Sequence, residues 1–486
     1  EYERWESMGA YGEDFDNAVL GTYALENANT QSAYSGGGES YSIGMMARAS
    51  YTYGNKYSVT GTVRRDAYSG FSKNKKWGVF PSVGINWNIS REDFMDNVDL
   101  VNNLSFRASY GKNGNQAISA YSTLTRVSTD KYVFFPDPSY TLTQYISRMA
   151  NENLGWETTE GLNIGTDFSL LSNRIGGSAN VYFTTTRDLL FDLSLPYSSG
   201  FSEITSNIGE IRNRGVELTL NTVPVQKSDF RWTSNVVFSL NRNEVVSILG
   251  EDNDGDGVED DLISSGYFIG KSLETIYDYK VVGIYQEADE AAGTIMEGLR
   301  PGDYILEDVD QDGSISQESD RQFLGSEKEN FRWSWINTLH YKDFSLMLYF
   351  YSIWGGNGWY LSGANTPYLD AYPNRGDINH PVWDYWMPDN SNAMFPRMDY
   401  KDRAAYIGRE YMDRSFIKLQ KVALSYNADR LVRNIGLSGM KLSLSADNLA
   451  TYAPYWIGLD PETEEGVTDE ARPSIRTYTF TVSFNF

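Results

Sequence analysis

Polar and apolar side chains alternate with a period of two along much of this chain. The last segment is the plainest case. Tyr478, Phe480, Val482, Phe484 and Phe486 alternate with Thr477, Thr479, Thr481, Ser483 and Asn485. Successive side chains of a strand point to opposite faces, so the pattern predicts one aromatic face and one small polar face. Similar segments recur at 43–53, 57–65, 79–89, 104–111, 162–170, 175–186, 216–225, 230–245, 331–341, 344–353, 416–426 and 440–447, about thirteen in all. Residues 1–42 are rich in Gly, Asn and Ser, break the alternation, and are expected to be an irregular extracellular loop segment.

The connections sort by parity. Gly54–Lys56, Ser172–Arg174, Gln226–Asp229 and Lys342-Asp343 are tight turns, and long loops near 113–159, 247–330, 354–414 and 448–475 fall between them. Both ends of a soluble sandwich face water, which gives no reason for such sorting. An outer-membrane barrel has short periplasmic turns and long extracellular loops. The fold class expected is therefore all-β: a transmembrane antiparallel β-barrel. By the same parity the last strand descends, and residues 43–486 form the carboxyl-terminal barrel portion. Thirteen strands is an odd number, and single-chain bacterial barrels have even ones. The expectation follows that strands before Ile43 lie elsewhere, and that Arg476–Phe486 pairs with one of them, because an open edge in lipid is untenable.

Composition narrows the function. The 486 residues include 35 Tyr, 23 Phe, 12 Trp, 43 Gly and 14 Pro, which suits strands and turns. There is no cysteine, which excludes disulfides and thiolate chemistry. No stretch approaches the ~18 apolar residues of a membrane helix. The net charge of −24 argues against a nucleic-acid partner.

Two acidic stretches have the spacing of a calcium loop, which solvated turns whose Asp side chains bind only backbone amides also show. In the first, Asp252, Asp254 and Asp256 stand at positions one, three and five, with Val258 at seven and Asp260 at nine. In the second, Asp308, Asp310 and Asp312 precede Gly313, and Ser314 would offer its carbonyl. Ser319 takes the place of the usual bidentate Glu, with Glu318 and Asp320 beside it as alternative substitute ligands. The loop 354–414 gathers Trp359, Tyr360, Tyr368, Tyr372, Trp383 and Trp386 with Asp377 and His380. Flat rings beside hydrogen-bonding groups suit sugar rings, although exposed aromatics also serve packing and partner contacts. Of the two histidines, neither His340 nor His380 has a recognisable nucleophile nearby, and no enzyme activity is expected.

Several motifs resemble the SusC/RagA family of TonB-dependent outer-membrane transporters. They are Val79-Phe-Pro-Ser-Val-Gly-Ile-Asn-Trp87, Leu104–Gly111 running to Gly114-Asn-Gln116, Asn153-Leu-Gly-Trp-Glu-Thr-Thr159, Thr186–Leu190 and Asn207–Glu217. Pro301-Gly-Asp303 through Asp308–Gly313 to Asp320-Arg321, Ser415–Gln420, Asp447-Asn-Leu449 and Gly458–Glu462 complete the set. The resemblance implies a 22-stranded plugged barrel that imports oligosaccharides, or in some members peptides. It also implies a SusD-like surface lipoprotein as a cap, and energy from the TonB complex. No plug and no TonB box are found in these residues, so both would belong to the remaining portion of the transporter. A non-transporting surface glycan-binding protein is the alternative outside this family.

Overall fold

In the computed structural model, fourteen strands form one antiparallel sheet in which each strand pairs with the next in the chain. They are β1 (Tyr2–Phe15), β2 (Ala28–Tyr53), β3 (Tyr57–Tyr68), β4 (Trp77–Asn88), β5 (Val101–Asn115), β6 (Glu157–Leu170) and β7 (Ile175–Ser194). The second half comprises β8 (Glu203–Gln226), β9 (Phe230–Ser247), β10 (Glu329–Tyr341), β11 (Phe344–Gly355), β12 (Phe416–Asn427), β13 (Gly439–Tyr452) and β14 (Thr477–Asn485). The structure describes residues 1–15, 24–133, 140–195, 197–201, 203–359, 384–397, 400, 406, 408–432, 438–456, 460–462 and 475–485.

All thirteen expected strands are present, and the irregular reading of residues 1–42 is corrected. Tyr2–Phe15 pairs with Ala28–Tyr41 as a long hairpin, while the stretch of β2 from Ile43 to Tyr53 leaves that edge unpaired among the described residues. Fourteen strands is an even number, so the count by itself calls for no further strand. The sheet is nevertheless open among the described residues, with β1 and β2 at one end and β14 at the other.

The turns explain the register. Gly54 and Asn55 both have positive φ (56° and 53°), and Lys56 N–H donates to the Tyr53 carbonyl at 2.9 Å. Two adjacent left-handed residues match the right-handed twist of the flanking strands. The remaining tight connections (171–174, 227–229 and 342–343) lie at the same end of the sheet as this turn. Connections 116–156, 248–328, 356–415 and 453–476 lie at the other end, as expected from parity.

One face is a continuous apolar band. Reading across the register, Val59 meets Ile85, Ile85 meets Ala108, Ala108 meets Ile164, Ile164 meets Val181, and Val181 meets Val216. At the far end Leu424 meets Leu444, which meets Phe480. Much of this face is exposed, including Tyr51 at 69% and Phe480 at 66%. A water-facing sheet would not present so large a patch; lipid accounts for it. Aromatic pairs edge the band at the short-turn end: Tyr57 stacks on Trp87 at 6.4 Å, and Phe344 lies 4.7 Å from Tyr426. At the other end the Arg65 guanidinium sits 4.3 Å over Trp77. Between Tyr57 and Arg65 the strand rises roughly 26 Å at ~3.3 Å per residue, of the order of a barrel's ~25 Å apolar band.

Candidate functional site

The opposite face is small, polar and mostly uncharged. One line of direct cross-strand partners runs Thr62, Ser82, Gly111, Gly161, Thr184, Asn213 and Asn243. The neighbouring line runs Thr60, Gly84, Ser109, Asn163, Tyr182, Gly215 and Asn241. The Tyr182 hydroxyl donates to Asn241 Oδ1 at 2.9 Å, and Arg107 is neutralised by Asp167 at 2.9 Å. Gly215 is required where it stands, because a Cβ there would meet the Tyr182 ring at 2.3 Å. The first five members of each line, on β3 to β7, floor a trough of about 670 Å³ that reaches from Arg48 on β2 to Tyr182. That volume lies within the range of small-ligand clefts. Apart from Arg48 at its edge, its side-chain donors and acceptors are hydroxyls and amides, which exchange hydrogen bonds with a neutral polyhydroxylated molecule. Sequence reasoning missed this trough. Each residue in it looks like an ordinary polar strand position, and only the register brings them together.

Above the trough, the motifs that carry the family resemblance pack onto one another. Phe80 is buried on the polar face and meets Trp156 edge-on at 5.3 Å, and Phe71 joins them at 5.0 Å from Trp156. Gly155 N–H donates to Asn207 Oδ1 at 2.6 Å, and Asn207 Nδ2 donates back to the Gly155 carbonyl at 3.0 Å. Lys418 on β12 is 1% exposed and is held by Asp460 at 3.3 Å and by Glu462. A lysine this deep is tolerable only when paired.

The loop 248–328 folds into its own small unit. Strand Thr275–Tyr279 pairs with Arg321–Ser326, and Val281–Ile284 pairs with Tyr304–Leu306. Tyr279, Tyr304, Leu306 and Tyr400 form its core. Tyr400 joins this unit to the loop 356–415, and the ion pair of Arg409 with Asp278 at 2.8 Å does the same. The Tyr411 hydroxyl also donates to Asp278, at 2.7 Å.

Both acidic stretches gather carboxylates, though with fewer residues than their spacing suggests. Ligand atoms of Asp252, Asp254 and Asp260 lie within 4.8 Å of one another, as do those of Asp308, Asp310 and Asp312. Asp256 stands outside its cluster; it accepts from Val258 N–H at 2.7 Å. Asp252 receives Gly255 and Gly257 N–H, and Asp308 receives Gly313 N–H at 2.9 Å. Gly257 and Gly313 have φ of 86° and 87°, where a side chain would be strained. Asp320 is corrected from ligand to clasp. It is fully buried, and its two oxygens accept from Val309 N–H at 2.8 Å and Ser316 N–H at 2.7 Å. Burial pushes its carboxyl up, but these donors and the Ser319 and Ser316 hydroxyls outweigh that and hold it below the usual carboxylate range. Val258 and Ser314 lie at the expected turns, where Ser314 N–H donates to Asp312 at 2.8 Å. The donor set fits a hard cation: all oxygen, closely spaced, with Asp308 Oδ1 buried and without a hydrogen-bond partner.

The aromatic loop offers less. Tyr360, Tyr368, Tyr372, Asp377, His380 and Trp383 lie outside the described residues. Trp359 lies in the short strand Asn357–Trp359, paired with Tyr411–Asp413. Trp386 is corrected from ligand platform to packing residue. It is 7% exposed, donates from Nε1 to Gln286 Oε1 at 2.9 Å, and its ring covers Gly302.

The chain matches the family model described as TonB dependent receptor-like, beta-barrel over residues 1–372. It is 31% identical over 468 residues to TonB-dependent receptor P3 of Formosa agariphila, covering 91% of this chain and 45% of that protein. It is 27% identical over 465 residues to TonB-dependent receptor SusC of Bacteroides thetaiotaomicron, covering 91% and 44%. Among solved structures, that of the RagAB peptide transporter matches with a TM-score of 0.77 at 21% identity, covering 100% of this chain and 52% of the other. This last likeness is one of fold. The chain spans about half the length of the curated relatives it matches.

Proposed function

Since the chain belongs to the TonB-dependent receptor-like β-barrel family of the outer membrane, we propose that it forms the wall and outer loops of a SusC-like importer of nutrient oligosaccharides. The observation that carries the substrate class is the trough, whose lining of hydroxyls and amides extends across five strands, β3 to β7. In this reading the open edges, β14 and the Ile43–Tyr53 stretch of β2, pair with the remaining barrel strands of the same transporter. The plug in that portion fills the lumen at rest and is displaced by the TonB complex. A SusD-like surface lipoprotein docks on the long loops and delivers the oligosaccharide.

The Asp252 and Asp308 clusters hold calcium. Asp252, Asp254 and Asp260 supply one set of carboxylates, and Asp308, Asp310 and Asp312 the other. The ion stiffens the docking surface by neutralising side chains that otherwise repel. Metal analysis of the protein dialysed against calcium should find two bound ions, and Asp308→Asn with Asp310→Asn should remove one. No bound metal would reject both sites.

The substrate class is tested with the purified transporter and its lipoprotein. Calorimetric titration with oligosaccharides of the growth medium should show binding, and Asn163→Ala with Asn241→Ala should slow uptake into cells at unchanged surface level. Binding of oligopeptides with none of oligosaccharides would replace this reading with a peptide importer.

A further inference from the structure

Just above the apolar band, on the lipid-facing side of β7, β8 and β9, the side chains become basic. Below that level Val181 meets Val216 and Val216 meets Leu240, and Phe183 lies opposite Arg214. The next outward positions are Arg212 and Arg214 on β8, Arg242 on β9 and Arg187 on β7. Three carboxylates share this level. Glu210 is held by Arg187 and Arg212, both at 2.8 Å, Glu160 lies 3.4 Å from Arg187, and Glu244 stands opposite Arg212.

Arg214 and Arg242 are left over. They are direct cross-strand partners, both exposed. Among the described residues Arg214 makes no ion pair or side-chain hydrogen bond, and Arg242 donates only to the carbonyls of Asn241 and Asn330. Like charges directly opposite on a sheet repel and destabilise the pairing. An anion between the two guanidinium groups would remove that penalty. These arginines and Arg212 line a cleft of about 330 Å³ that Phe183 and Glu244 also border. One side of the cleft is thus continuous with the acyl-chain surface, and the other carries three guanidinium groups against the single carboxylate of Glu244. The long loops make this the outer-leaflet end of the barrel.

We propose that Arg214 and Arg242, supported by Arg212, bind the phosphate of a phosphorylated outer-leaflet lipid headgroup. Guanidinium groups suit this ligand because they present paired N–H donors to phosphate oxygens and stay charged at any relevant pH. A bound lipid would pin the barrel's height in the membrane at the point where the 248–328 loop leaves β9.

The full-length transporter is reconstituted in nanodiscs, and binding is measured with lipid A carrying its phosphates and with the same lipid after phosphatase treatment. Wild type should bind the phosphorylated form and lose it on phosphate removal. R214Q/R242Q should weaken binding by about thirtyfold, from the usual contribution of a basic residue at an anionic surface. R214K/R242K, which keeps the charge and the fold but not the paired donors, should fall between. R231Q, on the opposite face of β9, should behave as wild type. Equal affinity of wild type for both lipids, or an unchanged R214Q/R242Q, would overturn the proposal. Displacement of the lipid by millimolar inorganic phosphate would overturn the lipid as the source of the anion.

Discussion

Lys418 shows how much a single side chain carries here. It is buried on β12 and faces Asp460 and Glu462 of the connection after β13. Removing the cation leaves two carboxylates close together with no counter-charge, a change that costs roughly 3–5 kcal/mol in buried pairs. Lys418→Ala should therefore release the connection 453–476, read as faster protease cleavage there while the barrel stays inserted; wild-type cleavage would show the pair to be dispensable. Both motifs were legible in the sequence. Their meeting was not, since Lys418 and Asp460 are brought together only by the pairing of β12 with β13. Glu410, next to Arg409 in the connection 356–415 that packs on the 248–328 unit, makes a pH-dependent contribution. Burial pushes its carboxyl up to about 7. Because the folded state favours the protonated form, the loop unit loses stability as pH rises from the ordinary glutamate value to about 7. Glu410→Gln should flatten that dependence and make the unit harder to cleave at pH 8 than wild type, with little difference at pH 4.5. A parallel pH dependence in the variant would assign the effect to another group.

At the scale of elements, strand periodicity was the most readable feature, and it failed where both faces meet water. In Ala28–Tyr41 and Tyr2–Phe15 neither face is buried in protein or lipid, so no apolar alternation is selected and Gly36-Gly-Gly38 reads as loop. The Trp5 ring packs closely on Gly38, where an added Cβ would lie 3.0 Å from its Nε1. Calcium-type spacing located the acidic turns, but spacing does not reveal that Asp320 is committed to backbone amides. The aromatic content of 354–414 was equally visible, and Trp386 shows why composition alone misleads: the same ring that suits a sugar also fills a loop core. Position in the sheet makes a sharper forecast. Val181→Arg on the apolar face should hinder membrane insertion by about 2–4 kcal/mol, seen as loss of the heat-modifiable band on gels. Asn163→Arg, one strand away on the polar face, should insert normally. Equal tolerance of both would reverse the assignment of the faces.

For the whole molecule, loop parity and the two-faced sheet together define a membrane wall, and this much could be read from residues alone. The polar trough could not, because it depends on the register of six strands at once. The central claim is that the apolar face meets lipid and the polar face lines the lumen. This sequence has no cysteine, so in a cysteine-free background of the membrane-inserted transporter spin labels can be placed one at a time along β14. Labels at Tyr478, Phe480, Val482 and Phe484 should be reached by oxygen dissolved in lipid, and labels at Thr479, Thr481 and Ser483 by a water-soluble nickel reagent, alternating at every residue. Uniform access of the nickel reagent to both sets would contradict the account.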